Sequence, residues 1–417
     1  KIHIINRSFF NLYNGYYILL CLLFFFIPLS ASSENFEIKS WVNKETKKSL
    51  YSNSNQLNLS NDKVGFSVLK TFNNIASNIT MNFHQKQQLT FDQSFIEMKK
   101  NKKIFGFGKI NRNWSFSPNT SLVLTSNARP TNSIYYTYDS EQASNNLLLT
   151  WAGPLSFEAF NAFKINTTKI NNSMLLGMRA VIEPIHNLKF EFVKTSQWGG
   201  HGKNKNLSSF ASSIIGNTNE KKHSDINQIA GLGISFQTNI KNNPLRFYTQ
   251  SAGEDEAGNL PTCFINLIGS ELELNDGKLL SSLGIEYIDT RTYKSTHGNC
   301  DKNAAYNNNI YSYTHNGNAL GTLIGTQSKS INIWASKKIS EINHLKYSIS
   351  NVIINDSNWF SHPLSSSKQS GLVTNIESSW KLQSYTINSK LSYQNFVLNK
   401  SNYKSGLSLN LNAEYIF

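Results

Sequence analysis

The chain has 417 residues, a formal charge of +14, 12% aromatic residues, eight prolines and three cysteines. Its mean hydropathy of -0.37 excludes a bundle of membrane helices, yet fits a β-barrel, whose lipid-facing side chains are each matched by a polar lumenal one. The basic balance raises nucleic acid as a partner, but no recognition motif accompanies it, so none is expected.

From the amino end, Lys1 and Arg7 form a basic region, an apolar stretch runs from Tyr16 to Ile27, and Ser30-Ala31-Ser32-Ser33 offers small residues for cleavage. Residues 1–33 therefore read as a signal peptide, and an exported, oxidising setting follows. Removing Lys1 and Arg7 leaves +12, a field suited to lipopolysaccharide phosphates, the outer-membrane lipid or an acidic polysaccharide. Residues 34–62 read as a short polar periplasmic lead.

Strand patterns begin at residue 63. Val64, Phe66 and Val68 alternate with Gly65 and Ser67; Leu188, Phe190 and Phe192 with Lys189 and Glu191; Leu232, Ile234 and Phe236 with Gly233 and Ser235; Tyr385, Ile387, Leu391 and Tyr393 with Thr386, Asn388, Lys390 and Ser392. Polar runs such as Lys203–Asn206 and Tyr306–Asn309 read as surface loops. At the carboxy terminus Leu407, Leu409, Leu411, Ala413, Tyr415 and Phe417 share one face, and Ser408, Asn410, Asn412 and Glu414 the other. Ending such a strand on Phe417, with Tyr415 two residues before it, is how outer-membrane barrels present themselves to the barrel-assembly machinery. At about 9–11 residues per tilted strand, residues 63–417 support roughly 16 to 18 strands. The expected fold is all-β, a transmembrane antiparallel barrel of about 18 strands over 63–417, preceded by the periplasmic lead.

Several residues stand out for chemistry. Arginine is scarce beside lysine, so Arg129, Arg179 and Arg246 mark places that need a planar fork: either an ion pair with a lumenal carboxylate such as Glu158, Glu183 or Glu271, or a bidentate hold on an acidic sugar. Parity points Arg246 into the lumen, opposite Leu245 and Phe247. The run Glu254-Asp255-Glu256 needs cations, which Lys or Arg on facing strands can supply; its spacing lacks a calcium-loop pattern. Trp198-Gly199-Gly200-His201-Gly202 joins a flat aromatic to a flexible backbone, which suits sugar stacking or, for Trp198, a place in an interfacial girdle. Cys263 and Cys300 remain after the signal and would pair in an oxidising compartment. With His297 and His315 they lack zinc spacing, so no metal or other cofactor is expected. No Ser, His and carboxylate set suggests catalysis.

The ordered fragments Ser121–Pro130, Gly153–Glu158, Gly177-Met178-Arg179, Gln197–Gly202, Tyr248–Pro261, Gly269-Ser270-Glu271, Tyr313–Gly317 and Leu320-Gly321 resemble the capsule-assembly Wzi family of outer-membrane proteins. The resemblance runs from about residue 63 to 417. It implies a closed barrel of about 18 strands in the outer membrane that binds capsular polysaccharide and helps attach or assemble it, as a lectin-like organiser and not an enzyme. The polysaccharide contacts then fall to Arg129, Arg179, Trp198, His201, Arg246, Glu254, Asp255 and Glu256. The family typically carries a periplasmic helical bundle ahead of the barrel, for which residues 34–62 are too short and too polar. The competing reading is a porin-like channel, and an open or a filled lumen separates the two.

Overall fold

The computed structural model describes residues 36–47, 49–51, 62–84, 88–143, 146, 149–215, 225–257, 260–275, 280–292, 300–401 and 403–417. The signal-peptide reading of 1–33 lies outside them.

Eighteen strands make the wall: β1 (Phe36–Glu45), β2 (Lys63–Phe72), β3 (Ile75–His84), β4 (Phe95–Lys100), β5 (Lys103–Gly108), β6 (Ser133–Ser140), β7 (Leu155–Ile165), β8 (Ser173–Ile185) and β9 (Leu188–Trp198), then β10 (Asn227–Ile240), β11 (Asn243–Gly253), β12 (Ile265–Glu273), β13 (Ser282–Asp289), β14 (Lys329–Ser340), β15 (Asn343–Ile354), β16 (Gln369–Leu382), β17 (Tyr385–Gln394) and β18 (Gly406–Ile416). A two-residue segment, Leu89–Thr90, pairs with β3 ahead of β4. Neighbours in sequence pair antiparallel, and β1 joins both β2 and β18, with Lys39 opposite Ile416 and Glu45 opposite Asn410. Among the described strands this closure leaves no ladder edge unpaired, the condition for a sheet in hydrocarbon.

The closing strand corrects the expected 34–62 lead: Phe36–Glu45 belongs to the barrel. Its outward Phe36, Ile38 and Val42 alternate with inward Trp41 and Asn43, but inward Glu37, Lys39 and Glu45, with Lys44 at the outer end of the strand, dilute the pattern. A lumenal face tolerates such charges, so polarity alone misplaced the segment.

Burial is inverted relative to a soluble sheet. On β18, Leu407, Leu409 and Leu411 are 64%, 36% and 43% exposed, whereas Ser408, Asn410 and Asn412 are buried. The apolar set therefore faces lipid and the polar set the lumen, as the alternation predicts. Two-residue turns link β2 to β3, β4 to β5, β8 to β9, β10 to β11, β14 to β15 and β16 to β17. Asn73, Asn101, Asn187 and Asn242 occupy them with positive φ, which asparagine tolerates and tight hairpins require. Short turns mark the periplasmic rim, where Tyr415 packs tilted against Tyr385 and edge-on against Phe417, each with centroids 4.6 Å apart. The longer connections gather at the extracellular rim.

Close ring packing holds the inner wall. The Trp334 ring lies so near Gly284 that a Cβ there would sit 2.1 Å from it, and Phe160 covers Gly177 in the same way, at 2.2 Å. Glycine at these lumenal positions makes room for a cross-strand aromatic.

The lumen is filled. Loop 109–132 turns inward between β5 and β6 and buries Trp114, Leu122, Val123 and Leu124 among wall residues including Phe160, Leu175 and Tyr248. Gln250 of β11 donates to the Trp114 carbonyl and accepts from the Leu122 amide, both at 2.8 Å. Loop 290–328 lies over it: Tyr313 and Tyr306 donate to the carbonyls of Val123 and Leu122 at 2.7 and 2.6 Å, and the Thr125 amide to Leu320 at 2.7 Å. Tyr306, read as part of a surface loop, thus points inward and stacks on Tyr313.

Candidate functional site

Several lumenal arginines are matched in place by carboxylates. Arg246 does face the lumen, opposite Glu271 in register, and its Nη2 donates to Glu271 Oε2 at 2.7 Å while Nη1 donates to the Phe116 carbonyl of the plug at 3.1 Å. Arg179 reaches diagonally across the β8–β9 ladder to the fully buried Glu191 at 2.6 Å, and Glu191 also accepts from Gln250 at 2.8 Å. Arg246 thereby holds wall and plug together directly, and Arg179 fixes the Glu191 carboxylate that Gln250 also reaches. The Arg179 partner is Glu191, which was not among the expected carboxylates. Glu158, opposite Arg179 in register, instead serves the plug: it accepts from Arg112 Nε at 2.6 Å and from Trp114 Nε1 at 2.9 Å.

Arg112 was not singled out from sequence, although its scarcity as an arginine was a usable signal. Its guanidinium lies 4.0 Å over the Phe160 ring, with its side chain 8% exposed. Arg129 stands near it, its Nε and Nη2 gripping Asp92 at 2.8 and 3.1 Å. Arg112 and Arg129 line one cavity at the base of loop 109–132, together with Asn111, Thr125, Ser126 and the edge of Phe160. Of the expected binding residues, Arg129 is the one at this cavity.

The others lie apart. Trp198 is buried on the outer side of the wall, where Phe210 of the short helix α1 (Leu207–Ile215) packs on it at 5.5 Å and Asn161 accepts from its Nε1 at 3.2 Å. That burial leaves the Trp198 ring no open face for a sugar, while its outward place at the end of β9 agrees with the interfacial reading, here under the cover of α1. Asn206 starts α1 by accepting from the Ser209 amide at 2.8 Å, and Ser196 ties the helix to β9 through the Ser213 carbonyl at 2.9 Å. His201 is exposed on the same connection, its amide donating to Asn171 at 2.9 Å. Glu254 accepts from the Tyr306 amide of loop 290–328, so it braces two loops. Asp255 and Glu256 lie on a small hairpin, Asp255–Ala257 paired with Leu260–Thr262, and their side chains fall outside what is described. Cys263 and Cys300 are joined as a disulfide that links this connection to loop 290–328. Among the described residues no cluster of His, Cys, Asp and Glu could hold a metal.

Sequence reasoning also missed Phe360, which stands 75% exposed on the extracellular connection 355–368, with the Lys400 ammonium 4.5 Å from its ring. Two extracellular-loop histidines are buried. His362 accepts from the Leu364 amide at Nδ1, 3.2 Å, and its Nε2 meets the Thr326 carbonyl at 2.9 Å, a pairing that fixes the Nε2–H tautomer. Burial pushes its pKa down to about 4, and burial likewise lowers His315 to about 4.

A closed antiparallel barrel with an apolar outer belt, an aromatic periplasmic rim and a lumen stopped by two inward loops defines an occluded outer-membrane β-barrel. Residues 43–406 match the family model described as "Capsule assembly protein Wzi", and the chain belongs to that family. It is 28% identical over 191 residues to an uncharacterized 55.8 kDa protein in the cps region of Klebsiella pneumoniae, a match covering 45% of this chain and 38% of that relative's length. Among solved structures it resembles Wzi of Escherichia coli, described as a carbohydrate-binding β-barrel involved in group 1 capsule assembly, at 19% identity and TM-score 0.73 over 92% of this chain and 84% of the other. OprD of Pseudomonas aeruginosa shares the barrel at 10% identity and TM-score 0.53, covering 92% and 93% of the two chains.

Proposed function

We propose that this barrel binds exported capsular or other surface polysaccharide at its extracellular face and helps attach or assemble it on the cell, as a lectin-like protein without catalysis. Membership of the capsule-assembly family carries the reading. The filled lumen supports it against a porin-like channel, because a pore must keep a continuous aqueous path and loop 109–132 is hydrogen-bonded both to Gln250 of β11 and to Glu158 of β7. The description of the Escherichia coli relative as carbohydrate-binding points the same way.

Within this proposal polymer contact belongs to the extracellular surface, through Arg129, His201 and the exposed ring of Phe360, while Arg179 and Arg246 keep the plug seated. Lipopolysaccharide surrounds the rim, and Tyr415 and Phe417 serve recognition by the barrel-assembly machinery. Residues 1–33 are the export signal, so Edman sequencing of the membrane-extracted protein should begin at Glu34.

The deciding experiment measures binding of the detergent-folded protein to the surface polysaccharide of its own host, with Phe360→Ala alongside, and polysaccharide retention in a deletion strain. Saturable binding weakened by Phe360→Ala, with polymer shed by the deletion strain, is the expected result. Unchanged retention and no binding would refute the reading.

A further inference from the structure

The cavity at the base of loop 109–132 holds a buried cation whose fork is incompletely used. Arg112 Nε is spent on Glu158 and Nη1 lies 3.3 Å from Ser133 Oγ, but the buried Nη2 has no partner among the described residues. Asn111 Oδ1, also lining the cavity, is a buried acceptor in the same position. Buried polar atoms are ordinarily paired, so two orphans of opposite kind on neighbouring residues that both line one cavity call for an occupant that both accepts and donates. The second guanidinium, Arg129, spends Nε and Nη2 on Asp92, yet the charged side chains that line the cavity itself are both arginines, which favours an anionic occupant. Phe160 beneath Arg112 holds the fork in a fixed plane, which favours a planar oxyanion. The free volume of about 40 Å³ takes roughly three water-sized groups, enough for a carboxylate and too little for a sugar ring.

We propose that this cavity is a subsite for the carboxylate of an acidic sugar residue in the bound polymer, with the carboxylate on Arg112 and Arg129 and an adjacent sugar hydroxyl donating to Asn111 Oδ1. The inference rests on the polysaccharide-binding reading and adds to it the polymer's charge class. It also gives the basic chain a specific use for two of its few arginines.

Titration calorimetry on the full mature barrel in detergent tests it with four probes: sodium methyl glucuronide, methyl glucoside, sodium acetate and the host polysaccharide. Methyl glucuronide is expected to bind saturably, methyl glucoside not at all in the same range, and acetate at least 10-fold more weakly. Asn111→Asp, nearly isosteric, places a negative charge in the cavity and should abolish glucuronide binding. The paired change Arg112→Gln with Glu158→Gln removes cation and counter-ion together and should weaken it at least 10-fold, with heat-modifiable mobility unchanged. A folded barrel that binds the polymer but not glucuronide, or takes glucuronide and glucoside alike, overturns the subsite and leaves the lectin reading standing. Acetate binding as well as glucuronide reduces the cavity to a site for small free carboxylates and overturns the sugar assignment. Failure to bind either polymer or glucuronide removes the lectin reading and the subsite together.

Discussion

Gln250 clamps Trp114 to the barrel wall: its side-chain amide donates to the Trp114 carbonyl while its oxygen accepts from the Leu122 amide, so one residue of β11 holds both limbs of the inward loop. All three groups are inaccessible to water, where a lost bond leaves an unmet polar group costing about 1–3 kcal/mol. Gln250→Leu should therefore loosen the plug at a cost of about 2–4 kcal/mol without opening the ladder. In planar bilayers the parent barrel is expected to stay silent, and the variant to show brief conductance steps. Silence in both would mean that Arg246, through the Phe116 carbonyl, suffices to seat the loop.

The glycine beneath Trp334 makes a second prediction. A methyl at Gly284 would meet the indole at 2.1 Å, on a wall where the ring cannot retreat into lipid. Gly284→Ala should cost about 1–3 kcal/mol through overpacking, seen as a lower temperature for loss of the heat-modifiable band. Adding Trp334→Leu should recover part of that loss. A double variant less stable than either single one would place the strain elsewhere.

The Cys263–Cys300 link should matter locally. A disulfide of this span in a chain without other ties is typically worth 2–4 kcal/mol, but here β12 and β13 already pair between the two cysteines. Replacing both by serine is expected to leave barrel melting nearly unchanged while the extracellular connections become more susceptible to limited proteolysis. A fall in melting comparable with the full value would show that the outer loops help to close the barrel.

The wall was readable because lipid and lumen impose a period of two, which Leu407–Phe417 shows and the inverted burial of that strand matches. The same rule hid β1, since its charged lumenal side chains resemble those of a solvated lead. Contacts across the lumen were not readable at all. Arg112 and Glu158 are 46 positions apart, and Gln250 meets Trp114 across 136, separations that carry no local signature. Parity did aim Arg246 inward; it could not say that plug and wall carboxylate would already occupy its fork. Trp198 looked available because nothing in the sequence ties it to Leu207–Ile215: that segment spaces Leu207, Phe210, Ala211 and Ile214 as a helix does, but only the fold shows that Phe210 packs on Trp198 while Ser209 and Ser213 are buried and Leu207 and Ile215 stay exposed.

The buried histidines give the plug and its cover a pH dependence of definite sign. His362 and His315 titrate near 4 in the folded state, against about 6.5 when released. Below about 6.5 the released loops take up protons that the folded loops refuse, so stability falls as pH drops from 6.5 to 4 and levels off beneath that. Each site can account for about 3 kcal/mol at most. Asp356, held below the ordinary carboxylate range mainly by its hydrogen bond from Lys368 and also by Arg291, adds a further loss only below about 4. Protonating His362 would also place an N–H at Nδ1 facing the Leu364 amide, breaking that bond within connection 355–368 while the Nε2–H stays on the Thr326 carbonyl. Protease susceptibility of the extracellular loops should accordingly rise between pH 6.5 and 4.5. His362→Gln, which retains a donor and an acceptor but does not titrate there, should flatten roughly half of that rise. An equally steep profile in the variant would assign the dependence to His315, whose Nδ1 accepts from the Asn166 amide at 3.1 Å and ties loop 290–328 to the connection after β7.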